Sequence, residues 1–181
     1  MENDYLVKKK PILALFIFAL PMIIGNFFQQ MYTMADSAVV GKYVGEEALA
    51  AVGVSYSLTT VFICIAIGGG IGASVIVSRY FGAKMYKRMK TAVFTAFIAF
   101  LAVSIFLGVF GLVFSKKIII LLNTPSNVID MAVEYLNIYF LGLPFLFMYN
   151  VVSSMFNALG KSKIPLYFLI FSSVLNIHYN I

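Results

Sequence analysis

Lys, Arg, Asp and Glu gather in short segments of this chain, and the stretches between them are almost wholly apolar. No residue from Pro11 to Ala35 carries a formal charge. Breakers such as Gly41–Gly45 and Pro125–Ser126 mark off five apolar segments, at 11–40, 48–78, 91–114, 128–155 and 164–181. A helix needs about 20 apolar residues to cross roughly 30 Å of hydrocarbon. A membrane barrel is excluded because its strands are short and alternate in polarity, whereas these runs are continuous. The pattern predicts an all-α integral membrane protein of about five transmembrane helices. The longer runs imply tilt, kinking or extension beyond the bilayer.

Composition agrees. Hydrophobic residues make up 62% of the chain and charged residues 11%, with mean hydropathy +0.97. Soluble domains are about half apolar and a quarter charged. The lone Cys64 excludes a disulfide framework and reads as a small packing residue.

The net charge of +6 is distributed as a topology signal, not as a nucleic-acid patch. Lys8, Lys9 and Lys10, then Arg79, Lys84, Lys87, Arg88 and Lys90, then Lys161 and Lys163 fall on one side of the predicted spans. Only Lys42, Lys116 and Lys117 fall on the other. This asymmetry puts the N-terminal tail, residues 1–10, in the cytoplasm of a multi-pass protein of the cell membrane. The apolar run after Lys10 is too long for a signal-peptide core and lacks an A-x-A site, so it reads as a retained first helix. The fifth segment stops at Ile181 with no flanking charge, which reads as the front part of a longer protein.

Asp36 is the most informative single residue. A charge facing lipid costs roughly 2.5–3.5 kcal/mol on insertion scales, so intramembrane acids face protein or a watery cavity and mark ion pathways. Asn26, Gln29, Gln30, Thr33, Asp36 and Ser37 share an arc of about 120° on a helix, with Tyr32 at its edge. Such a stripe suits a cavity wall that binds a cation or proton; its alternative is interhelical hydrogen bonding. Pro21 removes a backbone hydrogen bond within the same helix and predicts a kink, either for shape or as a switching point. Gly68, Gly69, Gly70 and Gly72 read as close helix packing, since a phosphate cradle would need a Lys. Asp130 and Glu134 lie at a segment's outer start, where solvated acids are favourable. Tyr139 and Asn150 lie deeper and are candidates to line a cavity. His178 has no second ligand at metal spacing, and no nucleophile elbow or zinc motif appears, so no enzyme is expected.

Several stretches together resemble the multidrug and toxic compound extrusion (MATE) transporters. They are the Pro21, Gln29 and Asp36 spacing; Val40-Gly41-Lys42-Tyr43-Val44-Gly45 followed by Glu47-Ala48-Leu49-Ala50-Ala51-Val52-Gly53; and Gly68-Gly69-Gly70-Ile71-Gly72. Arg79-Tyr80-Phe81-Gly82-Ala83, Leu141-Gly142-Leu143-Pro144-Phe145 and Ala158-Leu159-Gly160-Lys161-Ser162-Lys163 complete the set. The resemblance covers essentially the whole chain. It implies an antiporter of twelve helices in two six-helix lobes around a central cavity, needing no cofactor and expelling small organic cations in exchange for Na⁺ or H⁺. Residues 11–181 would form most of the N-terminal lobe, leaving a C-terminal lobe to be supplied by a longer chain.

By the same resemblance Asp36 binds the coupling ion, Na⁺ included, and the first helix rearranges at Pro21. Gln29 and Tyr139 match cavity-lining positions. Asn176 matches the fifth helix's Asn-Ile-x-x-Asp pattern, while Asn180 stands where an acid is expected, so a second carboxylate is missing. Two other readings remain: a flippase for lipid-linked saccharides, of the same superfamily, and a truncated membrane protein that transports nothing.

Overall fold

The computed structural model describes the backbone of residues 10–180 and the side chains of residues 10–175. Five helices follow one another: α1 (Pro11–Tyr43), α2 (Glu46–Gly82), α3 (Tyr86–Leu121), α4 (Ile129–Ala158) and α5 (Lys163–Asn180). The first four are long and apolar enough to cross a membrane; α5 is apolar but shorter over its described side chains, Lys163–Leu175.

The helices overrun the apolar segments, most of all α3, which begins five residues before 91 and ends seven after 114. Its 36 residues make a rod of about 54 Å, well beyond roughly 30 Å of hydrocarbon. Hydropathy locates the part of a helix that lies in lipid. Its ends are set by backbone pairing, which continues through Lys87, Arg88 and Lys90 at one end and Lys116 and Lys117 at the other.

Turn chemistry ends each rod. After α2, Lys84 adopts φ 56°, its N–H bonds the Phe81 carbonyl, and the Met85 N–H bonds that of Tyr80. After α4, Gly160 at φ 74° does the same, with Gly160 N–H on Asn157 and Lys161 N–H on Phe156. These paired bonds satisfy the last carbonyls of a helix. After α3, Asn123 takes φ 56°, and the Thr124 hydroxyl donates to the Ile119 carbonyl at 2.9 Å where a backbone N–H would otherwise serve.

At the centre lies α4, packed extensively on both α2 and α3, which also touch each other. Its buried residues Ala132, Leu136, Phe140, Leu143, Phe147, Val151 and Met155 recur every three or four positions along one stripe. Opposite that core, large apolar side chains such as Phe94, Ile98, Phe106 and Val113 on α3 are exposed, as befits rods solvated by lipid.

Small residues set how closely the rods approach. Phe140 stands edge-on to Phe62 at 5.2 Å between ring centroids, and a Cβ on Gly111 would overlap the Phe140 ring. On α2, a Cβ on Gly70 would lie 2.7 Å from the Ser154 hydroxyl, and Phe100 fills the space beside Gly69. Close approach is therefore the role of this part of the glycine run. A partly buried hydrogen bond adds register, with the Ser115 hydroxyl of α3 donating to Asn137 Oδ1 of α4 at 3.0 Å.

Gly111→Ala forces Phe140 out of place, and overpacking of this kind costs about 1–3 kcal/mol. Gly142, where an added Cβ meets nothing within 4 Å, is the control. Thermal unfolding in detergent should show a clear fall in Tm for Gly111→Ala and none for Gly142→Ala.

Candidate functional site

The α1–α5 pair stands apart from the α2–α3–α4 core. It touches α2 and α4 only lightly, and α1 makes no backbone contact with α4. The gap is a cleft of about 640 Å³ walled by α1, α2, α4 and α5. A second hollow of about 610 Å³ continues it between α1, α4 and α5, sharing Gln29, Tyr149, Ser153, Pro165 and Leu169. Each volume lies within the roughly 300–1,000 Å³ of small-molecule sites.

Most of the wall is apolar or aromatic: Ile63, Ile67 and Ile71 from α2, Phe145 and Leu146 from α4, and Leu166 and Leu169 from α5. The polar groups come mainly from one face of α4. Asn150, Ser153, Ser154 and Asn157 follow at i, i+3, i+4 and i+7, and all line the cleft. Asn150 Nδ2 donates to the Leu146 carbonyl at 2.9 Å. Asn157 Oδ1 is buried and accepts no hydrogen bond among the described residues. A buried carbonyl oxygen without a donor invites water, a cation or a ligand N–H.

Asp36 projects from α1 seven residues before its end, about 10 Å along the axis, and is partly buried. The Tyr32 hydroxyl, one turn earlier, hydrogen-bonds its carboxylate. Tyr135 of α4 lies close enough to interact with that charge and with Tyr139. Tyr139 in turn donates to the Thr59 carbonyl of α2 at 3.2 Å. Three phenols, those of Tyr32, Tyr135 and Tyr139, thus lie between Asp36 and α2.

The polar stripe of α1 does not wall one cavity as its arc suggested. Asn26 and Gln29 face the cleft and Tyr32 the adjoining hollow, while Gln30, Thr33 and Ser37 face a shallower groove against Leu49, Gly53 and Tyr56 of α2. Two neighbours pack on opposite flanks of α1, and an arc of about 120° reaches both. The Thr33 and Ser37 hydroxyls are occupied locally, donating to the Gln29 and Thr33 carbonyls at 3.0 and 2.9 Å.

Of the other candidates, Pro21 is buried within an unbroken α1 and lines the cleft. Tyr139 lines neither hollow and serves as the bridge to α2 instead. The side chains of Asn176 and Asn180 lie outside the described residues. Asp130 is solvent-exposed and pairs with Lys116 at 3.7 Å. Sequence reasoning missed Tyr135, Ser153, Ser154 and Asn157. Extending the helical spacing from Tyr139 back by four and from Asn150 onward by three, four and seven would have found them.

A sequence profile of the MatE family matches residues 21–181. The chain belongs to the MatE family. The chain is 33% identical over 172 residues to the probable multidrug resistance protein YoeA of Bacillus subtilis, covering 94% of this sequence and 37% of that protein. Against the multidrug export protein MepA of Staphylococcus aureus it is 26% identical over 179 residues, or 97% and 39% of the two lengths. Among solved structures, an outward-facing multidrug resistance MATE family transporter of the MOP superfamily superposes with TM-score 0.91 at 23% identity. That likeness covers 99% of this chain and 40% of the other. A MOP superfamily transporter from Pyrococcus furiosus gives the same score and identity. The MatE chain thus spans about two fifths of the length of these proteins. MatE proteins are transporters.

If the cleft of this MatE protein holds water, a cysteine there reacts as a thiolate, whereas one facing lipid does not. In a Cys64→Ala background, Gln29→Cys and Asn150→Cys should be modified by a charged methanethiosulfonate, and Phe106→Cys should stay unmodified. Mass spectrometry of the intact protein reads the difference.

Proposed function

We propose that this chain forms the cation-binding lobe of a multidrug efflux antiporter that expels small organic cations in exchange for Na⁺ or H⁺. One observation carries the reading: a partly buried carboxylate, Asp36, is tied to Tyr32, and Tyr32 lines the hollow that continues a cleft lined by isoleucine, phenylalanine, amides and hydroxyls. An acid within a membrane-spanning helix marks a place where ions are handled. Apolar and aromatic walls of this size accept flat, greasy cations without demanding a fixed hydrogen-bond pattern.

Exchange requires that ion and drug favour different states of the same lobe. Neutralising Asp36 removes the charge that holds Tyr32 and attracts the drug, so ion entry expels the drug and ion release restores the site. A second lobe, expected of a longer chain, closes the cavity from the other side. Among the described residues neither hollow is lined by Lys or Arg, which a flippase for lipid-linked saccharides would use to hold its pyrophosphate, so the drug-efflux reading is preferred.

Asp36→Asn keeps the shape and removes the charge. In cells expressing the protein that carries this sequence, ethidium efflux driven by Na⁺ or H⁺ should fall at least tenfold, with Asp130→Asn near normal. Undiminished, ion-dependent efflux by Asp36→Asn would refute the assignment. Orientation is tested separately in the Cys64→Ala background. In intact cells a membrane-impermeant maleimide should label Asn127→Cys at once and Lys84→Cys only after permeabilisation.

A further inference from the structure

A third hollow, of about 660 Å³, lies between the end of α2 and the start of α3, away from the cleft and sharing no residue with it. Ala73 and Ile76 of α2 and Ala92, Ala96, Ala99 and Phe100 of α3 form its apolar floor and walls. Its mouth carries Lys87 and Arg88, with Tyr80 and Thr91 beside them. The slot exists because four of its wall residues are alanines.

Length and charge identify what fits. From Arg88 to Phe100 the slot follows α3 for about 18 Å, close to the roughly 15 Å of hydrocarbon in a single leaflet. Its charged mouth therefore sits at headgroup level while its floor reaches towards the midplane. The segment around the mouth holds Arg79, Lys84, Lys87, Arg88 and Lys90 and no acid. The described carboxylates, Asp36, Glu46, Glu47, Asp130 and Glu134, all belong to the opposite end of the bundle. Each Lys or Arg near an anionic surface contributes about 1 kcal/mol of attraction.

We propose that the α2–α3 groove is a binding site for one anionic phospholipid of the leaflet at the basic end. Its phosphate sits on Lys87 and Arg88, and one acyl chain lies along Ala92, Ala96 and Ala99 as far as Phe100. The lipid completes the packing between α2 and α3, which meet less extensively than either meets α4. This site is independent of ion or drug exchange.

Native mass spectrometry of the purified protein, offered phosphatidylglycerol and phosphatidylcholine of matched chains, tests it. The expected result is selective retention of phosphatidylglycerol. Removing two interfacial charges in Lys87→Gln/Arg88→Gln should weaken that retention about 30-fold. Lys84→Gln/Lys90→Gln makes the same change in net charge outside the groove, where screening weakens its hold on the phosphate, and should cost clearly less retention. Ala99→Phe fills the slot without altering charge and should also lose the lipid, while helical circular dichroism confirms that each variant is folded. Equal retention of the two lipids would overturn the proposal. So would equal losses in the two charge variants, which marks a general surface attraction, or full retention in Ala99→Phe, which shows that no chain occupies the slot.

Discussion

The absence of water from the bilayer core governs this molecule: every polar atom inside must find a partner within the protein. Backbone groups meet the demand by forming rods, so the turns stand at the ends, where Lys84, Asn123 and Gly160 close the last carbonyls. Side-chain hydroxyls meet it by bonding backward along their own helix, as Thr33, Ser37, Thr60, Ser74 and Ser104 do. A few reach across instead, Ser115 to Asn137 and Tyr139 to the Thr59 carbonyl. What local pairing leaves over is where ligands are to be sought. In the cleft that remainder includes the buried oxygen of Asn157.

The same constraint explains what could be read from sequence. Lipid demands long apolar runs, so the existence and order of the helices were legible in hydropathy alone. Helix ends were not, because α3 continues through charged residues once its core is committed, and the interface tolerates Lys87 and Lys117 equally. Asp36 stood out because an acid in such a run needs a reason. The partition of its neighbours was hidden, since whether Gln29 and Gln30 share a cavity depends on where α2, α4 and α5 pack. Ser153 and Asn157 escaped notice for a different reason: serine and asparagine near a helix end look ordinary until the fold turns that face inward.

Energetically the lobe is two bodies. Helices α2, α3 and α4 interlock through aromatic rings set into glycine gaps, an arrangement with little tolerance for displacement. The α1–α5 pair rests on that core through limited contacts and encloses a cleft whose mainly apolar wall carries a few amides and hydroxyls. Interfaces of the second kind are where conformational change is least costly, because sliding there breaks few packed contacts.

Pro21 invites the view that α1 bends alone, but the turn before α5 and α5 itself hold the helix on the two sides of that residue. Before it, the Phe18 carbonyl accepts a hydrogen bond from the Ser162 hydroxyl at 3.1 Å. Beyond it, Gly25 faces Leu166 and Leu169 closely enough that an added Cβ would touch both, at 3.6 and 3.5 Å. Proline removes a bond from the inside of the rod, and α5 replaces that lost stiffness from outside. A bend at Pro21 strains either the Ser162 contact or the α1–α5 contact at Gly25, whereas moving the pair together disturbs the loosely held faces towards α2 and α4. As Tyr32 and Asp36 ride on α1 and Tyr135 on α4, movement of the pair alters the spacing between carboxylate and phenol directly.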